Sequence, residues 1–204
     1  MFGFFGRSKR REMVTRCAPI GDMGRQIVTC AISCQEETKH LICLNDQKKL
    51  AEREFILFCE HLYFYFFLGH WSARSVVSSR NLAEMLDLLK ETIPKVAIAS
   101  RFEQLPERLS QALHEEFLEK LEHAEERYEK VIDCEQEEQF ADLLQYHAEM
   151  VVRLCEREEE WPALGPRIVD LIFDAVRNAK FDQLAMRISE MQEGDTSYGS
   201  LSRY

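Results

Sequence analysis

Apolar residues along this chain recur at spacings of three and four, and no alternation of period two persists long enough for a convincing strand. The clearest stretch starts at Glu107, where Leu109, Leu113, Phe117, Leu121, Ala124, Tyr128 and Val131 or Ile132 mark one face of an amphipathic helix. Asp133-Cys-Glu-Gln136 reads as a turn, after which Phe140, Leu143, Leu144, Met150, Val151, Leu154 and Cys155 mark a second helix. No Gly or Pro enforces that break, so one continuous helix over 107–160 is the alternative. Trp161-Pro162 and Gly165-Pro166 are expected to end the region. Helices from Pro166 to Asn178 and around Leu184, Ile188 and Met191 follow.

Upstream, Asp22 is a candidate cap for a helix reaching about Leu44, with Pro19, Gly21 and Gly24 separating it from what precedes. A helix from about Gln47 to Leu68 comes next, with Gly69 as its expected stop. Ser72 to Ser79 reads as a loop. Ser79 or Asn81 then starts a helix carrying Leu82, Met85, Leu86, Leu89 and Ile93, which Pro94 ends or kinks before a short helix over 95–103.

The stretch Phe55–Trp71 (FILFCEHLYFYFFLGHW) is the densest hydrophobic segment, with five Phe, two Tyr and one Trp. Its apolar width exceeds a single stripe, which predicts a helix covered on several sides. Only fourteen residues separate Phe55 from Leu68 inclusive, with Glu60 and His61 in their midst, whereas a membrane span needs about twenty. The expected architecture is therefore all-α. It is a single bundle of about six to eight helices (residues 19–192) around this aromatic-rich helix, with a long acidic helical hairpin, a flexible arm over 1–18 and a disordered tail over 193–204. Eight Gly and five Pro in 204 residues suit long helices joined by short loops.

Charge changes the picture in two places. The formal net charge is −10, yet residues 103–160 alone carry nineteen acidic and six basic side chains. That balance speaks against nucleic acid as the main partner, because phosphate contacts need a basic face. Residues 1–16 are the opposite, with five basic residues and one acidic. There Phe2, Phe4 and Phe5 precede Arg7, Lys9, Arg10 and Arg11, a set of aromatic anchors and cations suited to an acidic protein surface or to anionic lipid. In the acidic region, Glu115–Glu119 and Glu122–Glu126 are like-charge pairs four apart, each unfavourable by a few tenths of a kcal/mol. Seven Cys, an odd number, lie among apolar neighbours without a secretory signal, which predicts reduced thiols and a cytoplasmic location.

Candidate chemistry is sparse. Cys30, Cys34, His40 and Cys43 offer four zinc-type ligands, but their spacing matches no zinc-finger pattern and core residues surround them. Glu37 and His40 form one Glu-x-x-His pair, where a di-iron bundle needs two plus further carboxylates. Glu60 and His61 require partners if buried: an arginine from another helix for Glu60, and a backbone carbonyl for His61. No phosphate loop, dinucleotide fingerprint, nucleophile elbow or Cys-x-x-Cys occurs, and Leu118 stands where a zinc-protease motif starting at His114 needs its second His.

The sequence thus reads first as a helical protein-interaction module, with no cofactor and no metal expected, and nothing in it calls for an enzyme. It would act on a protein partner, or on further copies of itself, through Glu115, Glu119, Glu122 and Glu126 and through the N-terminal arm. The alternative is a ligand- or metal-binding bundle, catalytic or not, centred on Glu60 and His61 or on the Cys–His set. A third reading attaches residues 1–12 to a membrane surface.

Overall fold

The computed structural model describes the backbone of residues 5–42, 47–102, 105–132 and 139–198, and the side chains of residues 18–42, 53–99, 102, 105–132 and 139–190. Among the described residues the chain is all-α. Seven helices follow in order: α1 Phe5–Ile42, α2 Gln47–Arg74, α3 Ser79–Arg101, α4 Glu107–Ile132, α5 Gln139–Leu154, α6 Trp161–Ala179 and α7 Phe181–Tyr198, with one 3-10 turn at Glu158–Glu160. No helix among the described residues is long and apolar enough to cross a membrane.

Helix α2 is the hub. It packs against α1, α3, α4, α5 and α7, and every residue from Leu57 to His70 except Cys59 is buried. Phe58, Leu62, Phe64, Tyr65, Phe66 and Phe67 are among the most deeply buried side chains. Their rings meet neighbours from several helices: Phe67 and Phe64 pack on Tyr128 of α4, Tyr63 on Phe117 of α4, and Tyr65 on Phe181 of α7. The unusual width of the apolar face is thus matched by partners on several sides, and each such side chain contributes roughly 1.5–3 kcal/mol through burial. Helices α4 and α5 are two separate helices that pack on each other, rather than one, and the turn expected at Asp133–Gln136 lies outside the described residues.

Several expected boundaries are not boundaries. Helix α1 passes through Pro19, Gly21 and Gly24 instead of starting at Asp22, so residues 5–18 are continuous with it in backbone. Residues 1–4 and the side chains of Phe5, Arg7, Lys9, Arg10 and Arg11 lie outside the described residues. Helix α3 likewise runs through Pro94, and α6 begins at Trp161 and contains Gly165 and Pro166. A proline inside a helix forfeits one i→i−4 hydrogen bond. Here α1 packs against α2, α3, α6 and α7, and α3 against α1, α2 and α4, so tertiary burial offsets that local loss. Helix α7 is assigned through Tyr198, and residues 199–204 lie outside the described residues.

Gly69 is a further correction. It does not stop α2, which continues to Arg74. A Cβ at Gly69 would sit 3.3 Å from both Ile27 Cδ1 and Met23 Sδ of α1, so this glycine marks a close approach of two helices. At Gly165 the reason is different: a Cβ there would lie 2.6 Å from Trp161 Cε3, because the indole one turn earlier covers the position.

Candidate functional site

Glu60 and His61 sit side by side on α2, and both are buried. Neighbouring helical residues point about 100° apart, so the two side chains reach different helices. Glu60 meets α4, where Arg127 Nη2–H donates to both carboxylate oxygens (3.0 and 3.2 Å) and the Tyr128 hydroxyl donates to Oε1 at 2.8 Å. The expected arginine from another helix is therefore Arg127. His61 departs from expectation. Its partners are side chains, with Nδ1 3.0 Å from His147 Nε2 of α5 and Nε2 3.4 Å from Thr38 Oγ1 of α1.

The five groups form one chain. His147 Nδ1 lies 2.9 Å from the Tyr128 hydroxyl oxygen. Because Tyr128 gives its proton to Glu60, its oxygen must accept from His147 Nδ1–H. His147 Nε2 is then an acceptor, so His61 supplies Nδ1–H, leaving His61 Nε2 to accept from Thr38. Every donor points toward the carboxylate of Glu60, and both imidazoles are neutral. Burial holds them so: it pushes His61 down to about 3, and it pushes His147 well below the ordinary imidazole value, assisted by the facing His61 and by Arg127. The His147 ring also stacks on Phe64 at a centroid distance of 4.0 Å, with the two planes within 1°. Burial and the adjacent Glu60 raise the Tyr128 hydroxyl far above its usual range, so it stays a donor.

A shorter network of the same logic lies further along α2. His70 donates from Nδ1 to Glu125 of α4 at 2.9 Å, accepts at Nε2 from Arg74 Nε–H at 3.1 Å, and Glu125 also pairs with Lys90 of α3. Arg74 itself pairs with Glu129. Hydrogen bonds from His70 and Lys90 hold the Glu125 carboxyl below the usual range against the opposing effect of burial, the largest single influence on it. Both networks therefore tie α2 to α4 through a carboxylate at the end of a donor chain.

Other sequence candidates separate. Cys30 and Cys34 are buried on α1, whereas His40 is exposed and Cys43 lies outside the described residues. Cys34 Sγ is 2.8 Å from the Tyr65 hydroxyl, and Cys30 lies near the Ala175 carbonyl at 3.9 Å. Burial pushes the Cys34 thiol up to about 12 and those of Cys30 and Cys155 up to about 11, so all three are protonated thiols at neutral pH. Among the described residues no three His, Cys, Asp or Glu side chains converge in a way that would hold a metal. Glu115, Glu119, Glu122 and Glu126 are all exposed on one face of α4, and among the described residues none pairs with a Lys or Arg. Glu115 accepts a neutral hydrogen bond from Gln111 at 3.0 Å.

Sequence reasoning missed Arg127, His147 and Thr38 as members of the buried network. His147 carried a usable signal, since it falls three residues after Leu144 and four before Val151 on the apolar face of α5. Thr38 and Arg127 carried none, because their roles depend on which helices meet. The chain matches no protein-family model, no curated protein and no solved structure.

Proposed function

We propose that this protein is a helical interaction module that receives a basic segment of a protein partner on the outward face of α4. The observation that carries the reading is the stripe of Glu115, Glu119, Glu122 and Glu126, four exposed carboxylates at spacings of four, three and four without a cationic partner among the described residues. Like charges at this spacing cost a few tenths of a kcal/mol per pair in the free protein. A basic partner would relieve that repulsion while supplying electrostatic steering. The buried network supports a mechanical role. Each of its members already has a partner inside the protein, which leaves a rigid α2–α4–α5 framework behind the acidic face rather than an open reaction site.

The N-terminal run of Phe2, Phe4, Phe5, Arg7, Lys9, Arg10 and Arg11 is the second proposed contact, on the strength of its composition. The test of the α4 reading uses a synthetic Lys- and Arg-rich amphipathic peptide, followed by fluorescence anisotropy across a salt series. Glu115, Glu119, Glu122 and Glu126 changed together to Gln should weaken binding about tenfold or more, equivalent to about 1.4 kcal/mol. The matched control changes four exposed glutamates away from α4, Glu84, Glu158, Glu159 and Glu190, to Gln. Equal loss in both variants would mean that net charge alone attracts the peptide, and the assignment to α4 would fall.

A further inference from the structure

An open cleft of about 720 Å³ lies where α2, the start of α5 and the junction of α6 with α7 meet. Its volume falls within the range of about 300–1,000 Å³ typical of small-molecule sites. It is more than twice that of the apolar groove of about 310 Å³ between α1 and α3. One wall is aromatic: Trp71 and Phe140 stack with centroids 6.4 Å apart and planes 20° apart, and buried Phe181 lines the cleft beside them. Opposite in character, Arg177 near the end of α6 and Lys180 directly after it bring two cations to the lining, against the single carboxylate of Asp182.

These two cations stand out in a chain of net charge −10. Arg177 shares its charge with Asp174 at 3.0 Å on the surface, and Asp182 also lines the cleft. Lys180 has no acidic partner within ion-pair distance among the described residues. The side chains of Ser72 and Gln183 add neutral hydrogen-bonding capacity, while the Ser75 hydroxyl is already donated to the Ser72 carbonyl. A ligand complementary to this set has a planar ring for the Trp71–Phe140 wall and an anionic head for Arg177 and Lys180. From this juxtaposition we infer that the cleft is a binding site for a small aromatic anion, a carboxylate or phosphate ester attached to a ring. The site is separate from the α4 stripe and stands whether or not that stripe docks a partner.

The experiment is isothermal titration of the full-length protein at low ionic strength with phenyl phosphate and with phenylacetate. Inorganic phosphate and acetate serve as the heads alone, and tryptophan emission provides a second readout, with Trp71→Leu separating the contribution of Trp71 from that of Trp161. The expected result is saturable binding of at least one aryl anion, at least tenfold tighter than its own head group, accompanied by a change in Trp71 emission. The two aryl compounds distinguish a phosphate-selective from a carboxylate-selective cleft. Arg177→Gln combined with Lys180→Gln should lose that binding. Both residues are exposed, and an unchanged melting temperature verifies that the variant is folded. Trp71→Leu should reduce the preference for the aryl compound over the bare anion. Absence of saturable binding by both aryl anions, or binding undiminished in the doubly substituted protein, would overturn the assignment.

Discussion

Acid should destabilise this protein through its two buried imidazoles. In the unfolded chain a histidine takes up a proton near pH 6.5, whereas in the folded protein His61 resists protonation down to about 3. Between those values the unfolded state binds more protons, so stability is fully present above about pH 6.5 and falls as the pH drops toward 3. At pH 4.5 the unfolded state has gained about two pH units of protonation that His61 has not, a loss of about 3 kcal/mol at 1.36 kcal/mol per unit. His147 acts in the same direction. The two effects are not additive, because the rings face each other at 3.0 Å and protonation of one disfavours the other. Even 3 kcal/mol is a large share of a typical stability of about 5–15 kcal/mol. The assay is urea unfolding at pH 7.5 and pH 4.5, comparing wild type with a protein carrying both His61→Leu and His147→Leu. The double change removes the His61–His147 hydrogen bond whole, and the partners it takes from Thr38 and Tyr128 cost the same at both pH values, so they drop out of the comparison. Titration of surface carboxylates is common to the two proteins and cancels. Wild type should lose about 3 kcal/mol more than the double variant over this interval. Identical pH dependence in the two would refute the neutral-imidazole chain.

Phe58→Ala and Phe66→Ala should each cost on the order of 3–5 kcal/mol in chemical denaturation, since both rings are almost fully enclosed; near-wild-type midpoints would contradict the placement of α2 at the centre. Glu60→Gln should cost roughly 1–3 kcal/mol by removing the countercharge of the half-buried Arg127 and weakening the hydrogen bonds that Arg127 and Tyr128 donate, and Arg127→Met in the same protein should restore part of that loss. Lys180 adopts a left-handed conformation with φ of 53° after α6, so Lys180→Gly should leave thermal stability unchanged or raise it by up to about 1 kcal/mol while weakening any aryl-anion binding in the cleft. For the N-terminal run, removal of residues 1–12 should leave the melting temperature close to wild type, and full-length protein should stay in solution with anionic vesicles at physiological salt; pelleting that depends on those residues would favour lipid over protein as their target.

The all-α class, the helix over 107–132 and the central place of Phe55–Trp71 were legible along the chain, because each rests on local periodicity and on the sheer apolar width of one segment. Local punctuation misled at Pro19, Gly69, Pro94 and Gly165. Each lies inside a helix whose burial against its neighbours outweighs a lost hydrogen bond, or whose lack of a side chain admits Ile27, Met23 or the Trp161 indole. Glu60 and His61 could be marked as needing partners from their surroundings alone, and an arginine for Glu60 followed from charge. That His61 would face His147, that Tyr128 would join His147 to Glu60, and that Thr38 would complete the chain required α1, α2, α4 and α5 to meet at one level. The same holds for Trp71, Phe140, Arg177 and Lys180, which share a cleft across more than a hundred residues of sequence. Helix formation depends on neighbours three and four positions away, so sequence spacing reports it directly. Pairing between helices depends on packing geometry summed over the whole core, which spacing along one strand of chain does not encode.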